Sequence, residues 1–108
     1  MAWIVELLDD RVREELEILP HDMQARFRRI VELIQTYGLE RVGEPLVKHL
    51  EGPLWEMRMK GKDGISRAIY ITANGRRVVV LRALIKKTRK TPRREIDVAL
   101  RRAKEVRS

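Results

Sequence analysis

The chain has 108 residues, no cysteine, and 24 Lys and Arg against 16 Asp and Glu, a net charge of +8 at pH 7. The lack of cysteine excludes disulfides and thiolate metal ligands, and no apolar run is long enough to cross a membrane. We expect one cytoplasmic domain, residues 1–108, without a signal peptide. The first 53 residues carry a net charge of −4 and the other 55 carry +12, so the expected partner of the second half is a polyanion, nucleic acid first.

The first half predicts a strand followed by two helices. Residues 3–8 (WIVELL) are short and largely apolar, which is typical of a buried strand. Residues 10–19 place apolar side chains on one helical face and end at Pro20. A second helix, residues 21–37, has apolar side chains at spacings of 3 and 4 and ends at Gly38. The short link at Pro20 predicts a helical hairpin with one shared core.

The second half predicts an antiparallel meander. A connector of residues 39–53, with room for one helical turn at residues 46–50, leads to the alternating residues 54–60, of which Trp55, Met57 and Met59 are assigned to the core. A Gly-Lys-Asp-Gly turn and an Asn-Gly turn join this strand to residues 65–72 and 77–85. We expect the first strand at one edge, giving four strands in all.

A final helix is predicted for residues 92–106, with Thr91 as its N-terminal cap and Pro92 in the first turn. Its apolar stripe packs on the sheet, while Arg101, Arg102, Lys104 and Arg107 are interpreted as a solvated face. The order of elements predicts an α+β fold: an N-terminal strand and helical hairpin, a three-strand meander and a C-terminal helix, with the helices mainly on one face of the sheet.

Six of the nine residues 86–94 are Lys or Arg. The chain has no Gly-rich phosphate loop, HExxH or GxSxG, so we expect no metal, no cofactor and no acyl-transfer chemistry. The meander can gather cations on the sheet face expected to be free of helices, where they would bind phosphate. RNA carries its own nucleophile, the 2′-OH, so such a patch can also cleave RNA without a metal. The cations in question are Arg58, Lys60, Arg67, Arg82, Lys86 and Lys87.

Residues 52–103 contain LWEMR, SRAIY, IKKTRKTPRREI and DVALRRA in that order. In these motifs the chain resembles the RelE/HigB superfamily of bacterial toxins, most closely its phage-derived HigB-like branch. The resemblance implies a RelE-like fold and an endoribonuclease that cleaves mRNA in the ribosomal A site through 2′-OH attack on the adjacent phosphate. It also implies a helix-turn-helix antitoxin as the protein partner.

The resemblance implies catalytic roles where positions match. RelE-like members have two basic residues two apart on one strand and an arginine on the next, and Arg58, Lys60 and Arg67 fit that spacing. Lys86 and Lys87 correspond to the basic pair that closes the third strand. RelE has a tyrosine near the start of the final helix where this chain has Ile96, so the general base stays open; a lysine with a lowered pKa would serve. The expected RNA-binding residues are Arg82, Arg89, Lys90 and Arg93.

Alternatives stay open from the sequence. The chain could be a non-catalytic nucleic-acid-binding module, or an inactive toxin relative that keeps antitoxin binding. Arg82 lies between apolar neighbours and fits a structural ion pair as well as a phosphate contact. A missing internal partner for Arg67 would favour a substrate contact. His21 and His49 fit surface roles, and Tyr70 is assigned to the core.

Overall fold

The computed structural model describes residues 2–107 as five β-strands and three α-helices. The strands are β1 (Ile4–Leu7), β2 (Val47–Glu51), β3 (Leu54–Gly61), β4 (Gly64–Ala73) and β5 (Arg77–Lys86). The helices are α1 (Asp10–Glu17), α2 (His21–Tyr37) and α3 (Arg93–Ala103), and one turn of 3₁₀ helix spans Leu39–Arg41. The predicted α+β class and element order are confirmed, with one strand more than expected.

All five strands belong to one sheet with the order β1-β5-β4-β3-β2. The predicted meander is confirmed, because β3, β4 and β5 pair antiparallel. β1 lies beside β5 and runs parallel to it, which is possible because a long crossover separates the two strands in the chain. β1 pairs with residues 77–80 alone. The second half of β5 therefore lies at the edge of the sheet.

The helical turn expected at residues 46–50 is wrong, since these residues enter a strand. β2 pairs antiparallel with β3, and Val47 lies opposite Met57. Val47 is buried, whereas Lys48 and His49 are exposed at the sheet edge. The strand forms because β3 offers a row of backbone donors and acceptors on this side, and pairing satisfies them better than an isolated helical turn does.

The expectation that one face of the sheet is free of helices is wrong. α1 and α2 share one core with Met57 and Met59, as the predicted hairpin required. α3 buries Ile96 and Ala99 against the opposite face. β5 shows the physical reason: residues 78–81 are all apolar and all buried, and an apolar run without alternation is typical of a strand covered on both sides.

Local signals set the helix ends with one exception. Gly38 ends α2 as predicted, with φ of 94°, and its N–H donates to the carbonyl of Ile34. The predicted cap of α3 is wrong, because Pro92 occupies the N-cap position and the side chain of Thr91 turns towards β3 and β4.

No helix within residues 2–107 is both long and apolar enough to cross a membrane.

The β3–β4 hairpin is held against the start of α2. A carboxylate oxygen of Asp22 accepts a hydrogen bond from the backbone N–H of Lys62 at 2.8 Å. Gly61 lies so close to α2 that a Cβ there would stand 2.7 Å from Oδ2 of Asp22. This close approach positions the two strands that carry Arg58, Lys60 and Arg67.

Candidate nucleic-acid interface

Strand register places four candidate cations on one face of the sheet. Arg58 lies opposite Arg67, and Lys60 and Lys86 both lie opposite Ile65. Side chains alternate between the two faces of a sheet, so residues in these positions point to the same side. These four residues share the predicted face, but the face is not free of helices, because α3 packs on it.

A cleft opens on this face between the sheet and the loop of residues 87–92, which joins β5 to α3. Its volume is about 290 Å³. Lys48 and His49 of the edge strand border it on one side, and Ile96 of α3 borders it on another. We call it the basic cleft after its cations, which are Lys48, Arg58, Arg67, Arg89 and Lys90.

Arg67 is buried in the basic cleft and is only 4% exposed. Its Nη1 lies 3.0 Å from Oε2 of Glu56 and donates a hydrogen bond to Oγ1 of Thr91. Its Nη2 donates to the carbonyl oxygen of Arg89 at 2.8 Å. Burial lowers the pKa of Arg67, an effect that Glu56 opposes and Arg58 reinforces. Each terminal nitrogen thus has an internal acceptor, so the missing partner that would favour a substrate contact is not found.

Arg58 differs from Arg67 in forming no ion pair with the described residues. Its Nε is shielded from solvent and has no hydrogen-bond acceptor within residues 2–107, and the same holds for Nε of Arg67. A buried donor left without an acceptor costs about 1–3 kcal/mol. In folded proteins such groups often mark sites of function or of bound ions. Two of them on neighbouring strands make the basic cleft a candidate anion site.

Lys86 ends β5 next to the basic cleft and is partly exposed. Its pKa is lowered by partial burial and then by the positive charges of Arg67 and Arg58, while Glu56 opposes the shift. A lowered pKa increases the fraction of the lysine that is neutral, and only the neutral amine can accept a proton. The environment of Lys86 therefore suits proton transfer.

Arg82 is held by two internal carboxylates. Its Nη1 lies 2.7 Å from Oε2 of Glu15, and its Nε lies 2.7 Å from Oε1 of Glu95. Glu95 foremost, then Glu15, raises the pKa of Arg82. Of the two interpretations left open by the sequence, the geometry fits the structural ion pair. Arg102 also binds Glu15, at 2.9 Å, so its assignment to a solvated face is wrong.

Three further predicted site residues lie outside the basic cleft. Lys87 borders a different groove, on the α1 side of β5. Arg93 forms ion pairs with Glu51 at 2.8 Å and with Asp97 at 3.0 Å. Lys60 is exposed and shares the face of Arg58 without lining the cleft. The structure thus separates the predicted cations into a cleft group and a surrounding group.

Two buried polar residues of the cleft, Glu56 and Thr91, are missing from the predicted site. Glu56 had a readable signal, because it occupies the same phase of the β3 alternation as Arg58 and therefore the same face. Thr91 gave no separate signal, since a threonine before a helical proline fits a cap equally well. Lys48 was missed because β2 was taken for a connector.

A larger groove, of about 660 Å³, lies on the opposite face of the sheet. It is mainly apolar, and it shares only Lys48 and His49 with the basic cleft. Trp55 borders it and is 39% exposed, so its assignment to the core holds only in part. Tyr70 is confirmed in the core, where burial raises its pKa to about 12. The smaller cleft is the candidate site because it holds the cations.

Comparisons with known proteins agree with this fold. Residues 14–104 match the family described as phage derived protein Gp49-like (DUF891). A similar chain occurs in the crystal structure of the archaeal RelE-RelB complex from Pyrococcus horikoshii OT3, with a TM-score of 0.58, 23% sequence identity, and 81% of this chain and 98% of that chain covered. No curated protein matches at a significant level. The fold is RelE-like, and the chain belongs to the phage-derived Gp49-like family.

Proposed function

We propose that this protein is the toxin of a bacterial type II toxin-antitoxin system, of the HigB-like branch, and that it cleaves mRNA in the ribosomal A site. Membership of a RelE/HigB-type family and a RelE-like fold support a toxin. The observation that carries the activity is the basic cleft together with Lys86 beside it, because Arg58 of the cleft and Lys86 form no ion pair with the described residues.

The side chains in and beside the cleft suit a reaction in which the 2′-OH of the RNA is the nucleophile. The 2′-oxygen attacks the adjacent phosphorus, the bond from phosphorus to the 5′-oxygen breaks, and the products carry a 2′,3′-cyclic phosphate and a 5′-hydroxyl. Neutral Lys86 accepts the proton of the 2′-OH, and a proton returns to the 5′-oxygen from the lysine or from water. Arg58, Arg89 and Lys90 stabilise the extra negative charge of the transition state, where one well-placed donor contributes about 2.7–4 kcal/mol.

The uneven charge of the chain supports a ribosomal site of action. The half that carries +12 includes β3, β4, β5 and α3, so mRNA and ribosomal RNA would be steered to the side of the cleft. Binding to RNA releases counterions and therefore weakens steeply with salt.

A helix-turn-helix antitoxin is the proposed protein partner. The similar solved chain belongs to a RelE-RelB complex, which supports a partner of the antitoxin class for this chain. Acidic groups placed over the basic cleft, or bulk that keeps the protein out of the A site, would each suppress the activity in the cytoplasm.

The test is tightly controlled expression with transcript mapping. We expect growth arrest and mRNA cuts in ribosomal A sites, relieved by the product of the neighbouring gene. The double variant Arg58→Gln, Lys86→Gln should not cut, whereas Arg93→Gln, which changes an arginine already paired with Glu51, should cut nearly as well as the wild type. Arrest without cut transcripts would rule the nuclease out.

One observation favours a second candidate, an RNA-binding relative without nuclease activity. Ile96 stands where RelE has its tyrosine; it lines the basic cleft, but its side chain packs into the core beneath α3 and is 8% exposed. It brings neither a stacking ring nor a titratable group to the cleft. This candidate predicts salt-dependent RNA binding with the RNA left intact.

A further inference from the structure

The loop of residues 87–91 carries Lys87, Arg89 and Lys90 past the basic cleft, with little structure of its own. Its internal hydrogen bond runs from Oγ1 of Thr88 to the carbonyl of Lys90 at 2.6 Å. Within the described chain, every other hydrogen bond of these five residues goes to Arg67 or Glu56. The position of the loop therefore depends on two side chains of the sheet.

Arg67 holds the loop at two points. Its Nη2 donates to the carbonyl of Arg89 at 2.8 Å, and its Nη1 donates to the hydroxyl oxygen of Thr91. Both terminal nitrogens of Arg67 are thereby engaged with protein acceptors. Arg67 thus contacts a backbone carbonyl and a hydroxyl group of the loop, and Arg89 and Lys90 stay exposed.

Glu56 of β3 contacts both Arg67 and Thr91 and so completes the network. It lies 3.0 Å from Arg67 and accepts a hydrogen bond from the hydroxyl of Thr91 at 3.1 Å. The exposed fractions of Glu56, Arg67 and Thr91 are 2%, 4% and 7%. The three side chains are shielded from water, so water does not compete for their hydrogen bonds. The network therefore holds all three side chains in one conformation.

We propose that Glu56, Arg67 and Thr91 are positioning residues, which fix the loop of residues 87–91 so that Arg89 and Lys90 meet the RNA phosphates in one preset arrangement. The inference rests on the proposed function for its substrate, RNA. It assigns Arg67 a role through the loop, in place of the direct catalytic contact that the RelE resemblance implies. Ordering the loop before the substrate arrives lowers the entropy cost of binding and of reaching the transition state.

The test removes one hydroxyl. Thr91→Val keeps the side-chain volume and deletes the group that bridges Glu56 and Arg67, whereas Thr91→Ser keeps the bridge. Thr72→Val is the matched control, because Thr72 is exposed near the other end of β4. All variants are compared by NMR backbone order parameters, by binding of a 2′-O-methylated single-stranded RNA that cannot be cut, and by cleavage kinetics.

For Thr91→Val we expect the backbone order parameters of residues 88–91 to fall from the rigid range of about 0.85 to below about 0.6, since the loop loses its main anchor. Affinity for the methylated RNA should fall several-fold, and kcat should fall more than KM rises. Thr91→Ser should restore all three quantities, and Thr72→Val should change none. If Thr91→Val does not fold, Glu56→Gln, which keeps the shape and loses the charge, is measured in the same way.

Unchanged order parameters of the loop in folded Thr91→Val, or failure of Thr91→Ser to restore them, would overturn the inference. Order parameters and binding do not depend on cleavage. If the wild type does not cut RNA, the nuclease proposal fails, while the role of the three residues is still decided by the loop and by the affinity for methylated RNA.

Discussion

Glu56 and Arg67 lie on neighbouring strands and form an ion pair of 3.0 Å in which their side chains are 3% and 5% exposed. The pair places a carboxylate at the base of a cleft whose other charged groups are cations. It neutralises one arginine, while Arg58 and Lys86 form no ion pair with the described residues. Of the two cleft arginines on β3 and β4, Arg67 thus stabilises the structure, whereas Arg58 has no ion pair with the described residues.

Removing one partner of this ion pair should destabilise the protein. Glu56→Ala leaves Arg67 as a buried cation without a counter-charge, and we expect the free energy of unfolding to fall by about 3–5 kcal/mol. Urea denaturation measures it. The double variant Glu56→Leu, Arg67→Met should recover most of the loss, because two apolar side chains remove both buried charges. A loss below about 1 kcal/mol in Glu56→Ala would contradict the burial of the pair.

Arg58 should contribute to RNA binding more than Arg93 does. Arg58→Gln removes a cation of the cleft, so the slope of log K against log salt for single-stranded RNA should become shallower by about 0.7. Arg93→Gln removes a cation already shared by Glu51 and Asp97 and should change the slope less. Fluorescence anisotropy with methylated RNA at several salt concentrations gives both slopes. Equal effects would show that the cleft has no special role in binding.

Lys86 should titrate below the ordinary lysine value of about 10.4. Partial burial, Arg67 and Arg58 all disfavour its protonated form and lower its pKa. In Arg58→Gln one repulsive charge is gone, so the pKa of Lys86 should rise towards the ordinary value. The rising limb of the cleavage rate against pH, along which Lys86 loses its proton, should move to higher pH with it. Side-chain NMR titration, with Lys86→Arg to assign the signal, measures the shift, and an unmoved signal would exclude coupling to Arg58.

Glu15 should add stability that is lost in acid. Burial raises its pKa, but hydrogen bonds from Arg102, the backbone N–H of Ala83 and Arg82 outweigh that effect and lower it. A lowered carboxylate pKa stabilises the fold above the unfolded value of about 4.3, and the contribution disappears as pH falls through the folded value.

Glu15→Gln should therefore be less stable than the wild type at neutral pH, and the difference should shrink below about pH 4. Urea denaturation at several pH values follows it. A difference in unfolding free energy that stays constant down to pH 3 would show that the ionised carboxylate is not what stabilises the cluster.

Gly61 should tolerate no side chain. A Cβ there would stand 2.7 Å from Oδ2 of Asp22 and 2.9 Å from Cγ of Met23. Gly61→Ala must displace the Asp22 carboxylate and the buried Met23 side chain, and should lower the free energy of unfolding by about 1–3 kcal/mol. Gly43→Ala is the control, since a Cβ at Gly43 meets no atom within 4 Å. Thermal unfolding compares them, and equal melting temperatures would contradict the close contact.

Much of the architecture was determined by the sequence itself, because the signals are local. The spacing of apolar residues and the terminal Gly38 placed α2 at His21–Tyr37. Two glycine-containing turns and strand alternation predicted the meander, and with it the shared face of Arg58, Lys60 and Arg67. Each of these features depends on neighbours within a few positions in the chain.

The tertiary structure alone decided which cations are available. Glu56 of β3 pairs with Arg67 of β4, and Glu15 of α1 pairs with Arg82 of β5. Two predicted site arginines are therefore neutralised internally. No local pattern encodes such pairs, because they form only when packing brings distant segments together. For the same reason the edge strand β2 and the placement of α3 on the second face were not predicted. They depend on which backbone edge and which apolar surface the remaining fold leaves uncovered.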